Sequence, residues 1–99
     1  MIRFEWDPRK ASLNRSRHGV SFEEAQTVFS DQEALLIADP DHSEEEDRFV
    51  LLGLSSVLRI LVVCHCYRVD SDEEQVIRII SARKAGRGER AQYSQRWRP

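Results

Sequence analysis

The segment from Arg48 to Tyr67 constrains the fold more than any other part of the chain. Two apolar runs, 48–54 and 58–67, flank Ser55-Ser56-Val57. Their lengths and the polar break between them make a hairpin of antiparallel strands. A hairpin symmetric about Ser56 gathers Val50, Leu52, Leu54, Leu58, Ile60, Val62 and Cys64 on one face. That face is wholly apolar and is expected to carry the helices. The other holds Phe49, Leu51, Gly53, Arg59, Leu61, Val63, His65 and Tyr67, a mixed set that suits an open, ligand-binding surface.

The rest of the chain adds elements on either side of this hairpin. Ile2, Phe4 and Trp6 alternate with Arg3 and Glu5, as in an edge strand with one buried side. Asp7-Pro8 starts a helix over about 8–17, and Gly19 ends it in the left-handed region. Ser21-Phe22-Glu23-Glu24 reads as a capping box, with Val20 and Ala25 as its staple, opening a second helix over about 22–30. Ala34–Ala38 is a short apolar strand, followed by an acidic loop around Pro40 and His42. Beyond the hairpin, 68–74 is a polar link and 75–83 a further strand. Its register stays open: a turn centred on Ser71 sets His65 level with Ile77 and on the face of Arg83, while a one-residue slip sets it against Arg78. A basic helix begins near Ala85, weakened by Gly86 and Gly88, with Tyr93 and Trp97 one turn apart as its packing stripe. The order β-α-α-β-β-β-β-α gives an α+β fold with a largely antiparallel sheet in a single domain, 1–99.

Charge is unevenly spread along these elements. The net charge of −2 hides +3 over residues 1–20, −9 over 21–50 and +6 over 75–99. Such polarity suggests two partner surfaces of opposite sign, or solvated faces that partly neutralise each other. The N-terminus carries charges where an export signal needs apolar residues, and the longest apolar run is too short to span a bilayer. A cytoplasmic location is the expectation. Cys64 and Cys66 point to one side of a strand and His65 to the other, so the three do not converge on a zinc ion. Both cysteines read as small buried hydrophobes.

The sequence contains no Walker loop, nucleophile elbow or HExxH motif. What remains are histidines, carboxylates and the basic run after the last strand. Arg78 interrupts a buried-strand pattern. It lies on a solvated face, pairs with a carboxylate, or lines a phosphate-binding surface with Arg83 and Lys84. Hydrolysis of RNA suits such residues because the 2′-hydroxyl is an internal nucleophile and no cofactor is needed. A histidine or carboxylate takes the proton, and cations stabilise the phosphorane. His65 is the leading acid–base candidate, with a structural histidine in the sheet as the equal alternative. His42 reads as a loop-ordering residue and His18 as a charge at a helix C-terminus.

Phe4-Glu5-Trp6-Asp7, Lys10, Asn14, Arg17-His18-Gly19-Val20-Ser21-Phe22, Asp39-Pro40, His42-Ser43, Glu46, Arg48-Phe49, Leu61-Val62-Val63, His65, Ile77-Arg78-Ile79-Ile80-Ser81-Ala82-Arg83, Ala85, Glu89-Arg90 and Tyr93 occur in this order. In that pattern the chain resembles the BrnT family of toxins from type II toxin–antitoxin pairs. The resemblance implies a RelE-like fold and a metal-independent endoribonuclease that arrests translation. It also implies neutralisation by a BrnA-like ribbon-helix-helix antitoxin, in a complex of two toxin and two antitoxin chains that reaches operator DNA through the antitoxin. The catalytic residues it implies are His65, Arg78, Arg83 and Lys84, with Glu46, Arg48 and Tyr93 at the substrate. The alternative is a non-catalytic module that binds nucleic acid or antitoxin as a co-repressor.

Overall fold

A computed structural model describes residues 2–38 and 48–95. The acidic loop with His42 and Glu46, and Trp97, lie outside the described residues. The elements are β1 (Ile2–Glu5), α1 (Pro8–His18), α2 (Phe22–Thr27) with one 3₁₀ turn after it (Val28–Ser30), β2 (Leu35–Ala38), β3 (Arg48–Leu54), β4 (Ile60–Val69), β5 (Gln75–Lys84) and α3 (Arg87–Ser94). This is the expected order. One sheet runs β1-β5-β4-β3-β2, with β1 parallel to β5 and every other pair antiparallel.

Local chemistry sets the helix ends. The Asp7 carboxylate accepts from the Arg9 amide at 2.8 Å, with Pro8 in the first turn. Gly19 closes α1 at φ 68°, a conformation that favours glycine. The Ser21 hydroxyl accepts from the Glu24 amide at 3.0 Å, half of the expected capping box. The other half is diverted: the Glu24 carboxylate reaches across to Arg59 and accepts from the Ser55 hydroxyl at 2.7 Å. That group ties α2 to the β3–β4 hairpin. The Arg59 guanidinium holds the Glu24 carboxyl below its ordinary value, against the effect of burial.

The hairpin keeps the expected division of residues between faces, but its register centres on Val57, so that Leu52 pairs with Val62 and Val50 with Cys64. Leu58 stands in the turn at φ 63°, out of the strand. The helices cover the opposite face from the one expected. Val20, Phe22, Ala25 and Val28 pack against Leu51, Leu61, Val63, Ile79 and Ala82, the mixed face. Gly53 explains part of this choice. A Cβ there would stand 2.8 Å from Val28 and 2.9 Å from Ala34, so its absence admits the 3₁₀ turn onto the sheet. The polar residues of this face are absorbed at its ends, Arg59 by Glu24 and His65 by its own strand. Among the described residues, the wholly apolar face receives only α3, which covers Leu52 and Val62 with Ala85 and Tyr93.

Two further features position the site. Pairing of β1 with β5 stops at Arg78. Beyond it the buried Asn14 side chain takes the place of a strand. Its amide donates to the Ala82 carbonyl at 2.8 Å and the Val20 carbonyl at 3.0 Å, and its oxygen accepts from the Ala82 amide at 3.1 Å. The second feature is a bulge in the β4–β5 ladder. His65 pairs with Ile79 but Cys64 with Ser81, leaving Ile80 as the extra residue. The turn centres on Asp72, which differs from both registers considered in the sequence.

Candidate functional site

Among the described residues, only α3 covers the face of the sheet opposite α1 and α2. Across it, Arg48, Cys66, Arg78 and Glu5 form one row of Cα partners on four strands. Beside it runs a softer row of Ile37, Val50, Cys64 and Ser81. Arg68, Val76 and Arg3 make the row on the far side, and Arg83 stands next to Val62 at the margin of α3.

Arg78 and Arg83 share this face because of the bulge. Five positions apart on a regular strand they would point to opposite sides. The extra residue Ile80 turns the strand over once more, and both guanidiniums emerge together. The same step leaves His65 and Lys84 behind on the helix-covered face, where Lys84 pairs with Leu61 and acts electrostatically on Glu24. The expectation that Arg83 shares a face with His65 is thereby corrected.

Carboxylates hold the arginines in place. Glu5 pairs with Arg68 and, at 3.4 Å, with Arg78. The Arg68 hydrogen bond, with help from Arg78 and Arg3, keeps the Glu5 carboxyl below its ordinary value. Arg3 pairs with Asp70 at 3.0 Å. Arg83 binds Glu89 through two bonds of 2.7 Å, and Glu89 also accepts from the Gly86 amide at 2.8 Å. These partners lower the Glu89 carboxyl to about 2, with the Arg83 bond the largest cause. Exposed pairs of this kind add little stability, about 0–1 kcal/mol. Their consequence is geometric, since they order long side chains on an open surface.

His65 is fully buried. Its Nδ1 lies 3.1 Å from the Val63 carbonyl and its Nε2 3.1 Å from the Tyr67 hydroxyl. A carbonyl only accepts, so Nδ1 carries the proton and Nε2 accepts from Tyr67. The rings of Phe29 at 4.8 Å, Tyr67 at 5.0 Å and Phe49 at 6.3 Å surround it. Burial pushes the imidazole below its ordinary value and the Tyr67 phenol above its own. Both nitrogens are engaged within the sheet.

The remaining sequence candidates separate as well. Arg48 stands in the arginine row. Tyr93, on α3, is buried against Leu52 and Val62 of the sheet and donates to the Asp31 carboxylate at 2.6 Å. Cys64 and Cys66 face the open side, as expected from their spacing, but are half-exposed rather than buried. Glu5 and Glu89 were not singled out as site residues. Their signals were present: Glu5 is an acid on an edge strand, and Glu89 is the single acid of the basic C-terminal stretch. A groove of about 560 Å³ beside the 3₁₀ turn is lined by Glu23, Asp31 and uncharged residues, which do not attract phosphate. No described helix is long and apolar enough to cross a membrane.

The chain can be set beside known proteins on this geometry. A family model described as "Ribonuclease toxin, BrnT, of type II toxin-antitoxin system" matches residues 6–89. The 1.1 Å crystal structure of the Brucella abortus ribonuclease toxin BrnT superposes with a TM-score of 0.65, covering 88% of this chain and all of that one at 22% identity. No curated protein matches significantly.

Proposed function

Because the chain belongs to the BrnT family of ribonuclease toxins of type II toxin–antitoxin systems, we propose that it cleaves RNA at its arginine-lined open face and thereby arrests translation. The observation that carries this reading is the bulge that brings Arg78 and Arg83 to one side of the sheet, in line with Arg48. Guanidiniums on a half-apolar surface suit a phosphodiester, giving bidentate contacts and stabilising charge on the phosphorane. Glu5, ionised and beside Arg78, is the carboxylate placed to take the 2′-hydroxyl proton. No step requires a metal ion.

His65 and Lys84 lie on the opposite face and fall outside this set. His65 anchors the strand where the bulge begins. Tyr93 holds α3 to the sheet, and Arg48 steers the substrate. Glu46 belongs with the substrate contacts on the family resemblance alone. A BrnA-like antitoxin, in a complex of two chains of each kind, neutralises the toxin by covering this face.

The test is inducible expression of the chain, alone and with the neighbouring reading frame. Growth arrest with RNA decay, relieved by the neighbour, is the expected result. Purified protein should cleave RNA with chelator present, and Glu5→Gln should slow cleavage roughly 100-fold. Full activity of Glu5→Gln, or cleavage abolished by chelator, would contradict the mechanism.

A further inference from the structure

We infer that the cleft between α1 and the edge of β5 is a second RNA subsite, in which Lys10 and Arg17 grip a phosphate flanking the one cleaved. The positive charge of the first twenty residues has no part in the site described above. Most of it sits on α1, which carries Arg9, Lys10, Arg15, Arg17 and His18 and no acidic residue. Lys10, Leu13, Arg17 and His18 of α1 face Ile80 and Ser81 of β5 across a cleft of about 170 Å³. Lys10 and Arg17 are exposed, and among the described residues neither has an ion pair. Arg78 and Arg83 are instead each held by a carboxylate.

The fold joins this cleft to the arginine-lined face. Pairing of β1 with β5 ends at Arg78, so the edge of β5 beyond it borders α1. Asn14 fills that edge at Ala82, and the cleft opens beside it. Ser81 belongs to both surfaces. It lines the cleft and, as the Cα partner of Cys64, stands in a row of the arginine-lined face. On β5 it lies between Arg78 and Arg83, within about 10 Å of either along the strand. An RNA strand held by those arginines leaves the sheet over Ser81 and meets the cleft. There the Lys10 ammonium and the Arg17 guanidinium both donate to phosphate oxygens. The space is too small to seat a partner helix, about 10 Å across. A contact of this kind fixes the register of the RNA without reading its bases. That the phosphate belongs to the cleaved strand rests on the function proposed above; that the cleft binds RNA does not.

Arg15 supplies the internal control. It has the same charge, helix and exposure as Arg17, but it lines a different cleft, of about 230 Å³, together with Glu23. A carboxylate at that cleft disfavours phosphate. Removing Arg15 therefore changes the net charge of α1 without touching the proposed subsite.

Binding is measured with a fully 2′-O-methylated single-stranded RNA, which lacks the internal nucleophile and stays intact. Lys10→Gln with Arg17→Gln should weaken binding roughly tenfold or more. The same variant should lower the slope of log affinity against log salt by about 0.7, the value for one phosphate on a single strand. Arg15→Gln should stay within about threefold of wild type, since its charge is screened from the cleft. Equal losses in the two variants, or wild-type binding by Lys10→Gln with Arg17→Gln, would overturn the proposal. So would intact RNA binding combined with lost binding of the neighbouring antitoxin, which would make the cleft a protein contact. Arg78→Gln with Arg83→Gln, tested alongside, separates the two readings. If binding falls only when Lys10 and Arg17 are replaced, the cleft stands and the arginine-lined face fails as the RNA surface. If it falls only when Arg78 and Arg83 are replaced, that face stands and the subsite is refuted.

Discussion

The two faces of the sheet are made from neighbouring residues of the same strands, yet they do opposite things. One buries Leu51, Leu61, Val63 and Ile79 beneath α1 and α2 and uses its polar residues internally. The other spreads Arg48, Arg78, Arg68 and Arg83 around a strip of Val50, Cys64 and Ile37, with α3 over one end. Apolar content does not decide which face becomes the core. Room for the helices does, and Gly53 supplies part of it. The face richer in apolar side chains along the hairpin is the one that α1 and α2 do not cover.

The contrast is sharpest in stability. Leu61→Ala, on the covered face, should cost about 2–5 kcal/mol by leaving a cavity beneath α2. Val50→Ala, half-buried opposite it, should cost about 1 kcal/mol or less. Denaturant titration of both variants checks this, and equal costs would mean the faces are not distinguished by packing. Next in size is Asn14→Ala, which strands the Ala82 amide and carbonyl inside the protein and should cost about 1–3 kcal/mol. Its signature is faster hydrogen exchange at Ala82 than in the β4–β5 ladder near Arg78.

Smaller effects appear on acidification. His65 is neutral in the fold, and its folded value lies below the ordinary 6.5. The unfolded chain therefore binds the proton first, and stability should fall as pH drops below 6.5 toward the folded value. His65→Gln should flatten the melting-temperature profile over about pH 7 to 5, even if its absolute value changes. Glu89 contributes in a lower window. Its carboxyl is depressed from 4.5 to about 2, so its stabilisation is present above 4.5 and lost as pH falls toward 2. Half exposed and screened, it should shift the acid transition only slightly, and Glu89→Gln should remove that shift.

The sequence made much of this legible. Element order, the Asp7 and Ser21 caps, the Gly19 termination and the common face of Cys64 and Cys66 follow from local rules, and the structure has all of them. The strand positions of Arg78 and Arg83 were also readable, but their common face was not. It depends on one extra residue, Ile80, and the run Ile79-Ile80-Ser81 carries no glycine or proline to mark a bulge. Period-two reading carried past that point exchanges the faces of everything beyond it. The same blindness put His65 on an open surface. Whether a mixed face is covered depends on Val28, Ala34 and Gly53 meeting across a long stretch of chain, and no local pattern records that meeting.

The central claim is that the arginine-lined face, not the His65 face, engages RNA. The most direct measurement compares two variants in one RNA-cleavage assay, with circular dichroism confirming that both fold. Arg78→Gln with Arg83→Gln should lower cleavage roughly 100-fold or more. Tyr67→Phe, which removes the hydroxyl bonded to His65 Nε2, should stay within about threefold of wild type. The reverse result, with activity surviving loss of both arginines and vanishing with the Tyr67 hydroxyl, would place the chemistry on the covered face and contradict the account.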